Sequence, residues 1–248
     1  MRGLFVTGTD TGVGKTHVSC ALLRALARRG EYVAVYKPVE TGCERDARSA
    51  LQGPDCARLL DAAASGQSLE RVATALYATP AAPLVAAQVE GERIDPEALV
   101  RDARALERDW GAVLVEGAGG LLVPIAEGYT FADLAGALDL PVLVVVGSKL
   151  GCLNHTLLTL SELERRGLRC AGYVLNEVGP PDPELAHAVA THRATLARFA
   201  RAPERGCLPH LPCDERATGA EGELDVDALA RVMGLGARPP RRARSADR

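Results

Sequence analysis

A short apolar run, Leu4-Phe5-Val6, leads directly into Gly8-Thr9-Asp10-Thr11-Gly12-Val13-Gly14-Lys15-Thr16, and an amphipathic stretch with helical spacing follows. Strand, glycine-rich turn and helix in that order form a phosphate-binding loop: successive backbone N–H groups face a polyphosphate and the helix adds its positive dipole end. Lys15 then reaches the terminal phosphates, and the Thr16 hydroxyl suits magnesium. The match is strongest in Gly14-Lys15-Thr16. The usual leading glycine position holds Thr9, with Gly8 one residue early, so the loop is a Walker A variant. A turn that only joined strand to helix would leave Lys15 and Thr16 unexplained.

Short β-branched runs recur near 4–7, 33–36, 112–115, 142–146 and 171–175, separated by longer helical patterns. The alternation predicts an α/β fold of the P-loop NTPase type, with a doubly wound, mostly parallel sheet flanked by helices. Helices are expected from Val18 to Arg29, over 96–108 behind the Asp95-Pro96 start signal, from Leu153 to Arg166, and from Glu184 to Arg198. Between Cys43 and Pro83 only one short helix, near Asp55 to Ala64, is expected. One domain over 1–235 and a disordered basic tail at 236–248 complete the organisation.

A net charge of −3 argues against nucleic acid as the main partner. No apolar stretch reaches the roughly 18 residues of a membrane span, and no signal peptide fits, so a cytoplasmic setting is expected. Seven cysteines, odd in number and without a CxxC pair, fit a reducing compartment. Cys207, His210 and Cys213 offer three metal ligands but no fourth nearby, and are read as structural.

In a parallel sheet of this kind, ligands bind beyond the C-terminal strand ends. Lys37, in Tyr36-Lys37-Pro38-Val39, stands there after the second strand, where it can stabilise a transferring phosphoryl group or simply be a solvated lysine. Glu116 ends the next apolar run before Gly117-Ala118-Gly119-Gly120, as a Walker B acid or as a turn-capping carboxylate. Asp55, after Gly53-Pro54, is a further magnesium candidate. Asn176 can read an adenine edge or close an Asx turn. Ser148-Lys149-Leu150-Gly151-Cys152-Leu153-Asn154 leads from strand to helix and makes a second anion site, suited to a carboxylate.

These segments, in this order from about residue 3 to 212, resemble the dethiobiotin synthetase family. The resemblance implies an ATP-dependent ligase that uses MgATP and CO2 to close 7,8-diaminopelargonate into dethiobiotin, a step of biotin biosynthesis, with release of ADP and phosphate. It implies Gly12, Val13, Gly14, Lys15, Thr16 and His17 around the phosphates, Thr16, Asp55 and Glu116 as Mg2+ ligands, and Lys37 with Lys15 in catalysis. Gly117, Ala118 and Gly119 would approach the nucleotide, and Asn176, Glu177, Leu208, Pro209 and His210 the adenine. Thr11 and Thr41 would meet the substrate, with Thr41 where the family often has serine. Gly151, Cys152, Leu153 and Asn154 would hold its carboxylate from the other subunit of a homodimer. No Ser-His or Cys-His pairing marks the site, so positioning and electrostatics would carry the chemistry.

A ParA-like ATPase switch keeps this fold but usually has an extra lysine early in the phosphate loop, where this chain reads Gly8-Thr9-Asp10. A cobyrinic-acid amide ligase would need a glutaminase domain as well, for which the chain is too short. A degenerate binding protein would not need Lys15, Thr16, Lys37 and Glu116 together.

Overall fold

The computed structural model describes residues 1–179, 186–210 and 224–236. Its first half runs β1 (Gly3–Gly8), α1 (Lys15–Arg28), β2 (Ala34–Tyr36), β3 (Val39–Thr41), β4 (Glu44–Arg45), β5 (Leu51–Gln52), α2 (Pro54–Ala63), β6 (Ala75–Tyr77), α3 (Pro83–Val89) and α4 (Pro96–Trp110). There follow β7 (Val113–Gly120), β8 (Pro124–Ala126), β9 (Tyr129–Thr130), α5 (Phe131–Leu138), β10 (Val142–Gly147), α6 (Cys152–Arg165), β11 (Cys170–Asn176), α7 (Ala186–Phe199), β12 (Glu204–Leu208) and α8 (Val226–Val232).

Six strands form the main sheet in the order β12-β11-β10-β1-β7-β2, and every neighbouring pair is parallel. Its central strands β1 and β10 are almost wholly apolar because both faces are covered. Leu4 and Val6 of β1 pack with α1, α2 and α8, whereas Phe5 faces the other way into the layer of α4 and α5. The alternation repeats in β10, with Leu143 and Val145 on one face and Val142, Val144 and Val146 on the other. Each fully buried side chain of this kind stabilises the fold by roughly 1.5–3 kcal/mol.

The expected doubly wound parallel sheet is thus the observed one, with a sixth strand, β12, that the residue pattern did not suggest. Helix starts follow their local chemistry: Asp95 accepts the Glu97 N–H with Pro96 at the first helical position, and Thr130 and Asp133 form a capping box for α5. The stretch from Cys43 to Pro83 is more ordered than expected. It holds α2 as anticipated, but also β6, which pairs in parallel with β3 beside the main sheet. The expected start of α7 at Glu184 and the tail beyond Gly236 lie outside the described residues.

The sheet order positions the site. β7 lies between β1, which feeds the phosphate loop, and β2, which feeds Lys37, so one strand touches the exits of two others. Glu116 is the β7 residue in register with Val6, and Val115 is in register with Tyr36.

Candidate active site

Gly14 shows why the loop needs its glycines. Its φ of 87° is left-handed, and a Cβ there would lie 2.2 Å from the Asn176 side-chain nitrogen. The turn lets α1 begin at Lys15, whose ammonium donates to the Asp10 carbonyl at 3.3 Å. Lys15 is buried, and its pKa is pushed down to about 8, first by burial and then by the charge of Lys37.

Below the loop, Thr16, Lys37, Asp55 and Glu116 converge. The Thr16 hydroxyl donates to Glu116 Oε1 at 2.7 Å, and Lys37 Nζ donates to the same oxygen at 2.8 Å and to Asp55 Oδ2 at 3.0 Å. Burial alone would lower the Lys37 pKa, but Glu116 and then Asp55 raise it above the ordinary lysine value. Burial acts to raise Asp55, yet Lys37, Thr16 and Arg58 hold its carboxyl below the usual range. Lys37 is therefore no solvated lysine, and Glu116 caps no turn.

Glu116 departs from expectation in one respect. It lies inside β7, because the strand continues through Gly120 instead of turning at Gly117. The register with β1 shifts between Val6 and Gly8, and the glycines let β7 pass close beside the phosphate loop: a Cβ at Gly119 would meet Val123 and the Thr11 hydroxyl. Gly117 instead stands beside Phe5 and Phe131 and does not line the cleft described below.

A cleft of about 730 Å3 opens over this cluster, lined by Thr11, Lys15, Thr16, Lys37, Thr41 and Asp55, and by Ala118 and Gly119 at one wall. A smaller recess of about 120 Å3 continues past Gly12, Gly14 and His17 to Asn176, Glu177, Pro209 and His210. There Asn176 donates its amide to the Val13 carbonyl at 2.9 Å, so it ties β11 to the phosphate loop and does not close its own turn. Its Oδ1 is buried without a hydrogen-bond partner among the described residues. Leu208, by contrast, is fully buried in the core and contributes only its backbone, accepting the Glu177 N–H at 2.9 Å.

Residues 151–154 do not line this cleft. They open α6 next door, where Gly151 adopts a φ of 93° and Asn154 is exposed, but the Cys152 side chain points into the core. Lys149 Nζ reaches Asp10 Oδ2 at 3.2 Å and links this loop to the phosphate loop. A Ser-His pair does occur elsewhere, outside the cleft. Ser148 Oγ lies 3.1 Å from Nδ1 of the buried His192, but neither residue lines the cleft.

Two side chains that the sequence reading passed over complete the cluster. Ser19, one helical turn beyond Thr16, donates to Glu116 Oε2 at 2.7 Å. The spacing of three on one helix face was the available signal. Glu40, buried at the cleft wall, accepts the Asp55 and Cys56 N–H groups at 2.9 and 3.0 Å.

Among the described residues no group of three or more His, Cys, Asp and Glu side chains forms a metal cage. Two carboxylates and a hydroxyl gathered around one buried cation form an all-oxygen set. That set fits magnesium, which binds through few protein oxygens and fills its shell with water and phosphate.

The comparisons with known proteins agree with this geometry. A family model described as an AAA domain matches residues 2–217. The ATP-dependent dethiobiotin synthetase BioD of Anaeromyxobacter dehalogenans is 46% identical over 224 residues, covering 90% of this chain and 97% of that protein. The protein of the same name from Pseudescherichia vulneris is 40% identical over 232 residues, covering 94% and 95%. Among solved structures, the MinC:MinD cell division protein complex of Aquifex aeolicus superposes with a TM-score of 0.55 at 18% identity, over 97% of this chain and 99% of that one, a likeness of fold alone. With the relatives matched over nearly their whole length and Lys15, Thr16, Lys37 and Glu116 gathered at one phosphate loop, the chain belongs to the ATP-dependent dethiobiotin synthetase family.

Proposed function

We propose that this chain is an ATP-dependent ligase that closes 7,8-diaminopelargonate with CO2 into dethiobiotin, releasing ADP and phosphate. The observation that carries the reading is the buried Lys37, held between Asp55 and Glu116 directly below the phosphate loop. A lysine so held stays charged, which suits it to stabilise a phosphoryl group and not to remove a proton.

In this reading one substrate amine takes up CO2 as a carbamate, and a carbamate oxygen attacks the γ-phosphorus while the bond to ADP breaks. Lys15 and Lys37 offset the charge that spreads over the phosphoryl oxygens. The second amine then attacks the carbonyl carbon of the mixed anhydride, phosphate leaves, a proton is lost and the ring closes. Thr16, Asp55 and Glu116 would hold Mg2+, which when bound supplies further positive charge to the phosphate oxygens. The chain supplies no nucleophile of its own; its residues hold the reactants in line. Thr11 and Thr41 flank the substrate end of the cleft. Asn176 Oδ1 is free to accept from an adenine amino group, with Glu177, Pro209 and His210 around it.

The substrate's carboxylate would be bound at residues 151–154 of a second copy, making the working form a homodimer. Support comes from the exclusion of those residues from their own chain's cleft and from exposed Leu122, Leu150 and Leu158 around the phosphate-loop edge. No helix among the described residues is long and apolar enough to cross a membrane, and among those residues Cys20, Cys43, Cys56, Cys152 and Cys170 are free thiols, which suits a reducing cytoplasm.

The test is ADP release with MgATP, bicarbonate and diaminopelargonate, compared with omission of each. Turnover should require the diamine and bicarbonate. ATP hydrolysis indifferent to both would favour the ParA-like switch instead.

A further inference from the structure

Helix α2 starts without a cap of its own. Its N-cap residue is Gly53, which has no side chain to accept the orphan N–H groups of the first turn. An N-cap side chain normally takes the N–H of the second or third helical residue, here Asp55 or Cys56. Glu40, on β3, takes both: Oε1 accepts from Asp55 at 2.9 Å and Oε2 from Cys56 at 3.0 Å. The space fits this arrangement, since a Cβ at Gly53 would stand 2.6 Å from Glu40 Oε2. Gly53 has an ordinary extended backbone, so neighbouring side chains and not the turn crowd a Cβ there: Glu40 most closely, then Cys56 Sγ at 3.1 Å and Leu76 Cδ2 at 3.2 Å.

The same segment grips Asp55 twice. Lys37 holds its carboxylate at 3.0 Å, and Glu40, three residues later, holds its backbone N–H. Glu40 is also buried, and its carboxylate oxygens face the two N–H groups at the first turn of α2. Remove that grip and the first turn of α2 can fray, which moves Asp55 relative to Lys37 and Thr16.

We propose that Glu40 is a positioning residue, a cap supplied from β3 that sets Asp55 for its place beside the phosphates. The inference rests on the assignment of Asp55 to magnesium binding above. It separates from that assignment experimentally, because the grip on the backbone can be read without ligand.

The experiment compares Glu40→Ala, Glu40→Gln and the double variant Glu40→Ala/Gly53→Ser, with Asp55→Asn as reference. Amide hydrogen exchange at Asp55 and Cys56 is measured in the free protein. The Mg2+ concentration for half-maximal ADP release is measured with substrates present. Glu40→Ala should lose about ten-fold in protection at both amides, the size of a lost cap, and should raise the Mg2+ requirement. Glu40→Gln keeps one accepting oxygen and should fall between, which covers the case in which the alanine variant fails to fold. Without the Glu40 carboxylate a serine at 53 needs only shifts of a few tenths of an ångström at the Cys56 and Leu76 side-chain ends, and it can cap the same amides, so the double variant should recover both properties. Unchanged protection in Glu40→Ala would overturn the inference. So would lost protection with an unchanged Mg2+ requirement, or protection regained by the double variant without recovery of that requirement. If Asp55→Asn itself leaves the Mg2+ requirement unchanged, the assignment of Asp55 to the metal fails, and the functional half of the inference falls with it.

Discussion

Lys37 Nζ lies 2.8 Å from Glu116 Oε1, and both side chains are buried, so a charged pair forms the floor of the phosphate site. Two carboxylates share this one ammonium, which therefore fixes their spacing, and in the proposed reaction it also offers charge to a phosphoryl group. Lys37→Gln should lower kcat by about 10²–10³-fold, the usual scale for removing one preorganised charge partner. It also leaves the buried Glu116 and the half-buried Asp55 facing a neutral amide, a loss on the order of 3–5 kcal/mol that should lower Tm. Lys37→Arg should not restore activity, because a planar guanidinium cannot occupy the same point between two carboxylates. The checks are ADP release and thermal unfolding. Near-normal turnover in Lys37→Gln would make the lysine peripheral.

Ser19 offers a milder probe of the same floor. Its hydroxyl occupies Glu116 Oε2, leaving Oε1 to Thr16 and Lys37. Ser19→Ala leaves a buried carboxylate oxygen without its donor and should cost about 1–3 kcal/mol in denaturant unfolding. The freed oxygen lets Glu116 rotate, so kcat should fall while KM for ATP changes little. A variant with wild-type stability would show that Ser19 does not hold Glu116 in solution.

Asn176 should govern base selection. Its amide already serves the Val13 carbonyl, and only Oδ1 remains to accept from a base. Asn176→Ala should raise KM for ATP about ten-fold, roughly one hydrogen bond in affinity, and narrow the preference for ATP over GTP. Asn176→Asp keeps the acceptor but turns a carboxylate oxygen toward the Val13 carbonyl, so it should distort the phosphate loop and lower kcat as well. Unaltered ATP preference in both variants would move base recognition elsewhere.

The paired Ser148 and His192 lie off the cleft, and their effect should be on stability. Burial lowers the His192 pKa below its ordinary 6.5, so the folded protein favours the neutral ring. As pH falls below about 6.5 the unfolded chain takes up the proton first. The contribution of His192 is therefore complete above that pH and is lost as pH drops through the lower folded value. His192→Gln keeps a partner for Ser148 without titrating, and its stability should vary less with pH across the range from about 7 down to 5. Denaturant midpoints across that range provide the measurement; parallel curves for the two proteins would rule the histidine out as a source.

Legibility in the sequence tracked how local each signal is. β1 and β10 are buried on both faces and read as unbroken apolar runs, and Gly14-Lys15-Thr16 announces its chemistry within three residues. β12 did not read as a strand, since Glu204 and Arg205 open a short strand at the sheet edge. Lys37 and Glu116 could be placed at strand exits, but their contact is set by β7 standing between β1 and β2, a matter of strand order that no local pattern encodes. Ser19 is 97 residues from Glu116, and Glu40 caps a helix that begins beyond two intervening strands. A cap is ordinarily sought next to its helix, so Gly53-Pro54 pointed to a helix start without pointing to Glu40.

The remaining prediction concerns the second copy. Asn154 is exposed at the third position of α6, whose free N–H groups suit a carboxylate. Asn154→Asp places a negative charge there, which favours the helix start but repels a carboxylate ligand. The variant should fold normally and show a raised KM for diaminopelargonate with KM for ATP near wild type. Lys37→Ala should be inactive by itself. If each site takes its phosphate loop from one subunit and its carboxylate anchor from the other, a heterodimer of the two variants carries both defects in one site and neither in the other. Mixing them should then restore up to one working site per heterodimer, read at a diamine concentration far below the raised KM as diamine-dependent ADP release above that of either parent. Absence of recovery, once mass spectrometry of the native assembly has verified subunit exchange, would mean that each chain binds the carboxylate within its own cleft.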